Sequence, residues 1–524
     1  MRLRLFVLAT LLVGACVAVW LNVGWTLNPE VIRRAAESRL STVLGQPVSI
    51  RDVRVSVFPV PAVIGSDIAI GPRRETPELA LRRVRIVPRV PSLFRGPYVI
   101  RDMALDGLTV HIVRESGRWR FPPVVPVAGA DKGSGLVIER VRVTGGRVRV
   151  LELPTGGVIH QTSSIEDIEG EAVAHADGLR VSPIRGRVRS AEVTGGAVMN
   201  AQEARLDFSM AEVKGEDLEA VLGLAATNPP KLLSLPKPAA VTLSVRIDRL
   251  KSRLSGTGSL RAPEVSVDTL RLQSVEAPIK TDGVRITFDP MTFSIYGGTH
   301  SGTVVVDLSR TRWALESKVT HVDVDQFLSA YAGRDQHLDG TASATASLQA
   351  GIGEPLPRSL EGRIYVDVVN GVVREFALLA AINRALRLAE GSTRDTRFER
   401  LTATLAFAGG VGRRSAEAAA PGNVTTNDLV LQARDVRVEA AGRIGFNRSL
   451  ALAGKAVLSP ERSSETIRSV RELSGLRNDR GELELPLKIG GTLDDPSFSI
   501  DLQAAVGRSI KEELRRRFRD LLRR

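Results

Sequence analysis

Apolar and polar residues alternate along Asp282–Ser309, and that alternation constrains the fold more than any other feature of the chain. Val284, Ile286 and Phe288 fall on one side of a strand, with Arg285 and Thr287 on the other. Phe293 and Ile295 repeat the pattern after Met291, and Val304 and Val306 repeat it before Leu308. A period of two means a sheet with one apolar and one wet face. Asp289-Pro290 and Gly297-Gly298 read as turns between runs, so the neighbours are expected to be antiparallel.

Most of the chain after residue 45 is written this way. Arg101–Val113 reads as a strand pair, and Leu136–Val150 as two strands joined near Thr144-Gly145-Gly146. Ile364, Val366 and Val368 lie on one face of a strand that ends in a turn at Asn370-Gly371. Short helices are expected at Glu216–Leu224 and Val324–Tyr331, and a longer one at Phe376–Ala389. The Pro/Gly-rich run 121–135 reads as a loop or boundary, and the Gly-rich stretch 408–428 as a loop. The expected fold is mainly β: a long, meandering antiparallel sheet curled into an open groove, with few short helices. Five segments follow: 1–27, 28–135, 136–361, 362–503 and 504–524.

The two ends differ from the body. Leu5–Leu27 carries no charge, and twenty-odd such residues at 1.5 Å rise cover the ~30 Å of a bilayer's hydrocarbon. Arg2 and Arg4 precede the run, which predicts a single transmembrane helix with a cytoplasmic N-terminus. A cleaved signal segment is the rival reading, and Val13-Gly14-Ala15-Cys16 resembles a lipoprotein cleavage box. The apolar run continues past that point, which favours a retained anchor. Asn28-Pro29-Glu30 then opens a helix. At the far end Val506, Ile510, Leu514, Phe518 and Leu521 recur at helical spacing among arginines, giving a basic amphipathic helix over 504–524.

Reactive chemistry is sparse. Cys16 is the single cysteine, so no intrachain disulfide forms. The six histidines never cluster at ligand spacing, Gly409-Gly410-Val411-Gly412 lacks the Lys-Ser/Thr of a phosphate loop, and no zinc or nucleophile-elbow signature occurs. No enzyme activity, metal or cofactor is expected. The net charge of +13 (72 basic minus 59 acidic) permits nucleic-acid or anionic-lipid contact. Nucleic acid conflicts with a body outside the cytoplasm.

Several stretches in order after the apolar run resemble the AsmA family of inner-membrane-anchored envelope proteins. They are Leu27–Gly71, Phe293–Gly298 followed by His321–Phe327 and Leu338–Gly340, Val369–Val373, and Leu487–Pro496. The resemblance implies a trough with an apolar inner wall, similar to chorein-type lipid bridges, and a role in carrying phospholipid from the inner toward the outer membrane. It implies a single-pass inner-membrane protein with a periplasmic body. The chain is shorter than the longest family members, and the basic C-terminal helix has no counterpart in the family pattern.

A separate physical argument points the same way. About 350 strand-and-turn residues at ~12 per strand make roughly 30 strands. Exposing even ~1,000 Å2 of their apolar face to water costs on the order of 25 kcal/mol. The expected helices are too few to cover it, so acyl chains become the expected cover. The groove candidates are Val284, Ile286, Phe288, Phe293, Ile295, Val304, Val306, Ile364, Val366 and Val368. The expected partners are phospholipids and the inner membrane, with periplasmic or outer-membrane proteins as further ones and no nucleic acid. The alternative is a non-catalytic scaffold for outer-membrane protein assembly, its apolar face packed by protein.

Overall fold

The computed structural model describes residues 29–44, 46–56, 60–71, 77–89, 92, 98–115, 118–120, 136–153, 160–175, 178–200, 202–224, 233–248, 253–332, 338–374, 395–408, 423–492 and 496–500. The apolar run 5–27, the helix expected at Phe376–Ala389 and the basic stretch 504–524 lie outside them. Among the described residues no helix is long and apolar enough to cross a membrane. The chain divides into two compact units. The first holds Met1–Pro229, Lys237–Leu260 and Ile279–Ile286, and the second holds Pro230–Pro236, Arg261–Pro278 and Thr287–Arg524.

Strand dominates both. The early strands are β1 (Val48–Ser56), β2 (Ala62–Ile70), β3 (Leu79–Pro88), β4 (Tyr98–Glu115), β5 (Arg118–Arg120), β6 (Leu136–Ile138), β7 (Arg140–Leu153) and β8 (His160–His175). Then come β9 (Gly178–Val188), β10 (Ala191–Met199), β11 (Glu203–Val213), β12 (Leu233–Ser234), β13 (Ala239–Asp248), β14 (Arg253–Val267), β15 (Leu270–Thr281) and β16 (Arg285–Ile295). The last ten are β17 (Gly298–Asp307), β18 (Arg312–Asp323), β19 (Leu338–Gly351), β20 (Glu361–Val373), β21 (Thr396–Phe407), β22 (Asn423–Gln432), β23 (Val436–Gly445), β24 (Leu450–Leu458), β25 (Leu483–Gly491) and β26 (Pro496–Ile500). The helices are α1 (Pro29–Leu44), α2 (Leu218–Gly223), α3 (Val324–Ala332), α4 (Leu356–Ser359) and α5 (Pro460–Ser469).

In the first unit β1 to β4 form an antiparallel meander. The expected antiparallel order then fails once: β7 lies parallel to β4, with Arg114 opposite Glu152. A parallel neighbour requires the chain to return to the same end of the sheet, and residues 121–135 lie between β5 and β6 in the sequence. From β7 through β11 to β13 the ladder is antiparallel again. Arg114, only 2 % exposed, forms an ion pair with Glu152 at 2.5 Å across the parallel joint.

An open sheet edge is a row of unpaired backbone groups, and α1 blocks one. Glu37 accepts a hydrogen bond from the Ile50 amide at 2.7 Å, and the Ser41 hydroxyl accepts from the Val48 amide at 3.0 Å. Arg33, held by Glu37 at 2.8 Å, donates to the Ile50 carbonyl at 3.3 Å. Glu37→Ala strands the Ile50 amide, at a cost of about 1–3 kcal/mol. Hydrogen exchange at β1 should therefore accelerate while β9 and β10 stay protected; unchanged β1 exchange would show that α1 does not guard this edge.

Several glycine and acid punctuations that look like turns lie inside long strands. Thr144-Gly145-Gly146 does not end a strand, since β7 runs unbroken through it with its register shifting there. Arg101–Val113 is one strand, not a pair. Asp289-Pro290 lies inside β16, and Asn370-Gly371 inside β20. In the first unit these left-handed residues line up strand by strand: Asp67 (φ 49°) in β2, Gly107 (φ 67°) in β4, Gly145 (φ 58°) in β7 and Asp167 (φ 51°) in β8. Asp67 and Gly107 both fall beside Arg82 of β3, and Thr144 pairs with Asp106. A Cβ on Gly107 would sit 2.9 Å from that of Arg82, so only glycine fits this crossing. Arg82 bonds Asp106 at 3.0 Å and Arg51 bonds Asp67 at 3.2 Å beside these left-handed residues.

The second unit is an antiparallel meander from β17 to β26. Asn423–Asp428, expected as loop, begins β22. Two helices, α4 and α5, escaped the sequence reading. Ser459 caps α5 by accepting from the Arg462 amide, with Pro460 at the first helical position and Glu461 in the first turn.

Candidate functional site: the apolar face of the second unit

Directly opposed residues in an antiparallel ladder share a face, so the register defines this surface. One row runs Val322, Ala342, Val368, Leu401, Leu431, Val438, Ala456, Leu485 across eight strands. A parallel row runs Gly302, Ser317, Ala346, Ile364, Leu405, and another joins Val304, Leu315 and Leu348. Val306 faces Trp313. Apart from Ser317 and His300, the face over β17–β21 is apolar; its reverse carries Thr303, Glu316, Ser347 and Arg363 in register.

The face changes character along the sheet. At β22–β25 it is sealed: Leu483, Leu485 and Ala456 are 0 % exposed and Leu487 2 %. The lid is α5 and the turn Arg471–Leu476, which contribute Ile467, Val470, Leu473 and Leu476. Ser463 pins that lid, donating to the Leu458 carbonyl at 3.1 Å and accepting from the Leu483 amide at 2.7 Å. Over β17–β21 the same face is half-exposed at Val304, Val306, Trp313, Leu315, Val319, Leu348, Ile364 and Leu405. Among the described residues α3 and the single turn α4 are the helices packed on β18 and β19.

The ten candidate residues divide accordingly. Val368 (2 % exposed) belongs to the sealed core, and Val366 packs against it. Ile364, Val304 and Val306 lie in the half-exposed span. Phe288 and Phe293 are half-buried in β16, and Ile295 is buried at its end. Val284 and Ile286 are half-buried in the first unit. Trp313, Leu315, Leu348 and Leu405 were not singled out from the sequence, although the alternation in Arg312–Glu316 and Leu401–Phe407 carries the signal.

His300 is the polar exception. It stacks on Phe293 with ring centroids 4.0 Å apart and is 5 % exposed. Its Nδ1 has no hydrogen-bond partner, and burial pushes its pKa below the ordinary imidazole value, so the ring is held neutral. No group of three or more His, Cys, Asp or Glu side chains is placed to hold a metal ion among the described residues.

The model of the AsmA family matches residues 246–416. Over this stretch the chain is of the AsmA family. The AsmA-family segment contains β17 to β21, so it holds the half-exposed apolar span and stops short of the sealed end. No curated protein and no solved structure matches the chain.

Proposed function

We propose that this chain is a membrane-anchored lipid-transfer protein of the cell envelope, and that the apolar face over β17–β21 shields phospholipid acyl chains. The observation that carries this reading is the contrast within one face: sealed by the chain's own α5 at β22–β25, half-exposed at β17–β21. Acyl chains match a surface of Val, Leu, Ile and Trp that offers almost no polar partner. The AsmA-family match covers the same strands. The uncharged run Leu5–Leu27 supplies the anchor, with the N-terminus cytoplasmic, the body periplasmic and the inner membrane as the membrane spanned.

The alternation of faces gives a sharp test. A photo-crosslinking residue placed at Val306 or Ile364 of the full chain in living cells should capture phospholipid. The same residue at Val305 or Asp367, on the reverse face and outside its hollow, should capture little. Equal lipid yields from both faces, or none from either, would refute the proposal; a single dominant protein adduct at Val306 and Ile364 would instead favour the scaffold reading.

A further inference from the structure

The reverse, polar face of the same strands holds a depression of about 580 Å3 lined by Ser301, Thr303, Lys318, Thr345, Arg363 and Tyr365, with Glu316 and Ser347 beside them. Register explains its form. Ser301 pairs with Lys318, Lys318 with Thr345, and Thr345 with Tyr365, while Ser347 pairs with Arg363. Short hydroxyl side chains stand between long charged or aromatic ones, which leaves a hollow in an otherwise flat sheet face.

Several basic side chains on the strands of this unit have carboxylate partners: Arg312 with Glu361 at 3.2 Å, Arg400 with Asp367 at 2.7 Å, Arg437 with Glu439 at 3.0 Å and Lys455 with Glu484 at 3.2 Å. Lys318 and Arg363 have none among the described residues. Glu316, the acid of the hollow, already accepts from the Ser347 hydroxyl at 2.6 Å. Thr404, at the margin, is likewise occupied, its amide and hydroxyl both donating to Asp428. Two cations without a carboxylate partner and the Ser301 and Thr345 hydroxyls therefore converge on a concave surface whose one acid, Glu316, is engaged by Ser347.

We infer that this hollow is a phosphate-binding site, separate from the apolar face and reached from the opposite side of the sheet. Arg363 offers a planar fork suited to two phosphate oxygens, and Lys318 a point charge. Ser301 and Thr345 add neutral donors. Glu316 opposes the ligand, so its removal strengthens binding. The inference does not depend on what occupies the apolar face.

The test titrates inorganic phosphate into the full chain in phosphatidylcholine nanodiscs, followed by phosphorus NMR. Saturable binding should weaken by at least about threefold in Lys318→Met and again in Arg363→Met, the range of exposed charge pairs. It should strengthen in Glu316→Gln and weaken as salt shortens the screening length. Hydrogen exchange of β18 and β20 reports that the variants remain folded. Absence of saturable binding to the wild-type chain, or binding unchanged in the folded double variant, would overturn the site. Two further arms identify the source: competition by glycerol phosphate marks a soluble ester, and flotation with phosphatidylglycerol but not phosphatidylcholine vesicles marks a headgroup. Failure of both probes to compete would also count against a phosphate site.

Discussion

Leu485→Ala should lower the unfolding free energy of the second unit by about 4 kcal/mol, within the range for a fully buried leucine in a packed core. Leu485 is 0 % exposed and faces Ala456, also 0 % exposed. Alanine on the opposing strand cannot expand to fill the void, and α5 is held above by Ser463 through two backbone bonds. The site therefore collapses poorly, which places the cost toward the upper part of the range. Leu405→Ala, on the half-exposed span, removes similar atoms from a surface already partly in contact with solvent and should cost about 1 kcal/mol or less. Urea denaturation with hydrogen exchange at β24 and β25 measures both. Equal losses would mean that the face is closed equally at both places.

The second expected result concerns charge. Ile364→Asp should leave the chain folded yet reduce co-purified phospholipid roughly tenfold, because a carboxylate facing acyl chains costs at least the ~1.4 kcal/mol that a tenfold change requires. Val368→Asp, two pairs further along the same strand face, should instead unfold the unit, since that carboxylate enters a core where Val368 is 2 % exposed. The pair separates lipid loss from general damage. Lipid recovery unchanged in folded Ile364→Asp would remove the support for acyl chains on this face.

Much of this architecture is legible in the chain. The alternation in Val304–Val306 and Ile364–Val368 assigned the right residues to one face, because a pleated strand leaves no other periodicity. The punctuation misled. Gly145-Gly146, Asp289-Pro290 and Asn370-Gly371 have turn chemistry, yet each sits inside a strand. At Gly145 and Asn370 a bulge and a hairpin call for the same left-handed residue, and only the pairing of neighbours distinguishes them. The parallel joint at β4 and β7 was invisible for a related reason: pairing between strands separated by a long return leaves no local mark. The lid was legible but overlooked, since Ser459-Pro460-Glu461 is a helix start, while its consequence for Leu485 depends on contacts far apart in sequence. The division of the apolar face into a sealed and a half-exposed part follows from that lid and not from strand composition, which is alike on both sides.

The aligned left-handed residues of the first unit bear on how its strands run. At Gly145 and Asp167 the register between β7 and β8 shifts, and a bulge of this kind bends its strand and sharpens the local twist. The backbone angles at Asp67, Gly107, Gly145 and Asp167 therefore set the local course of four strands at one level. Exchanging Gly107 for valine would force a β-branched residue into a left-handed conformation against Arg82, and the strain would concentrate at this crossing.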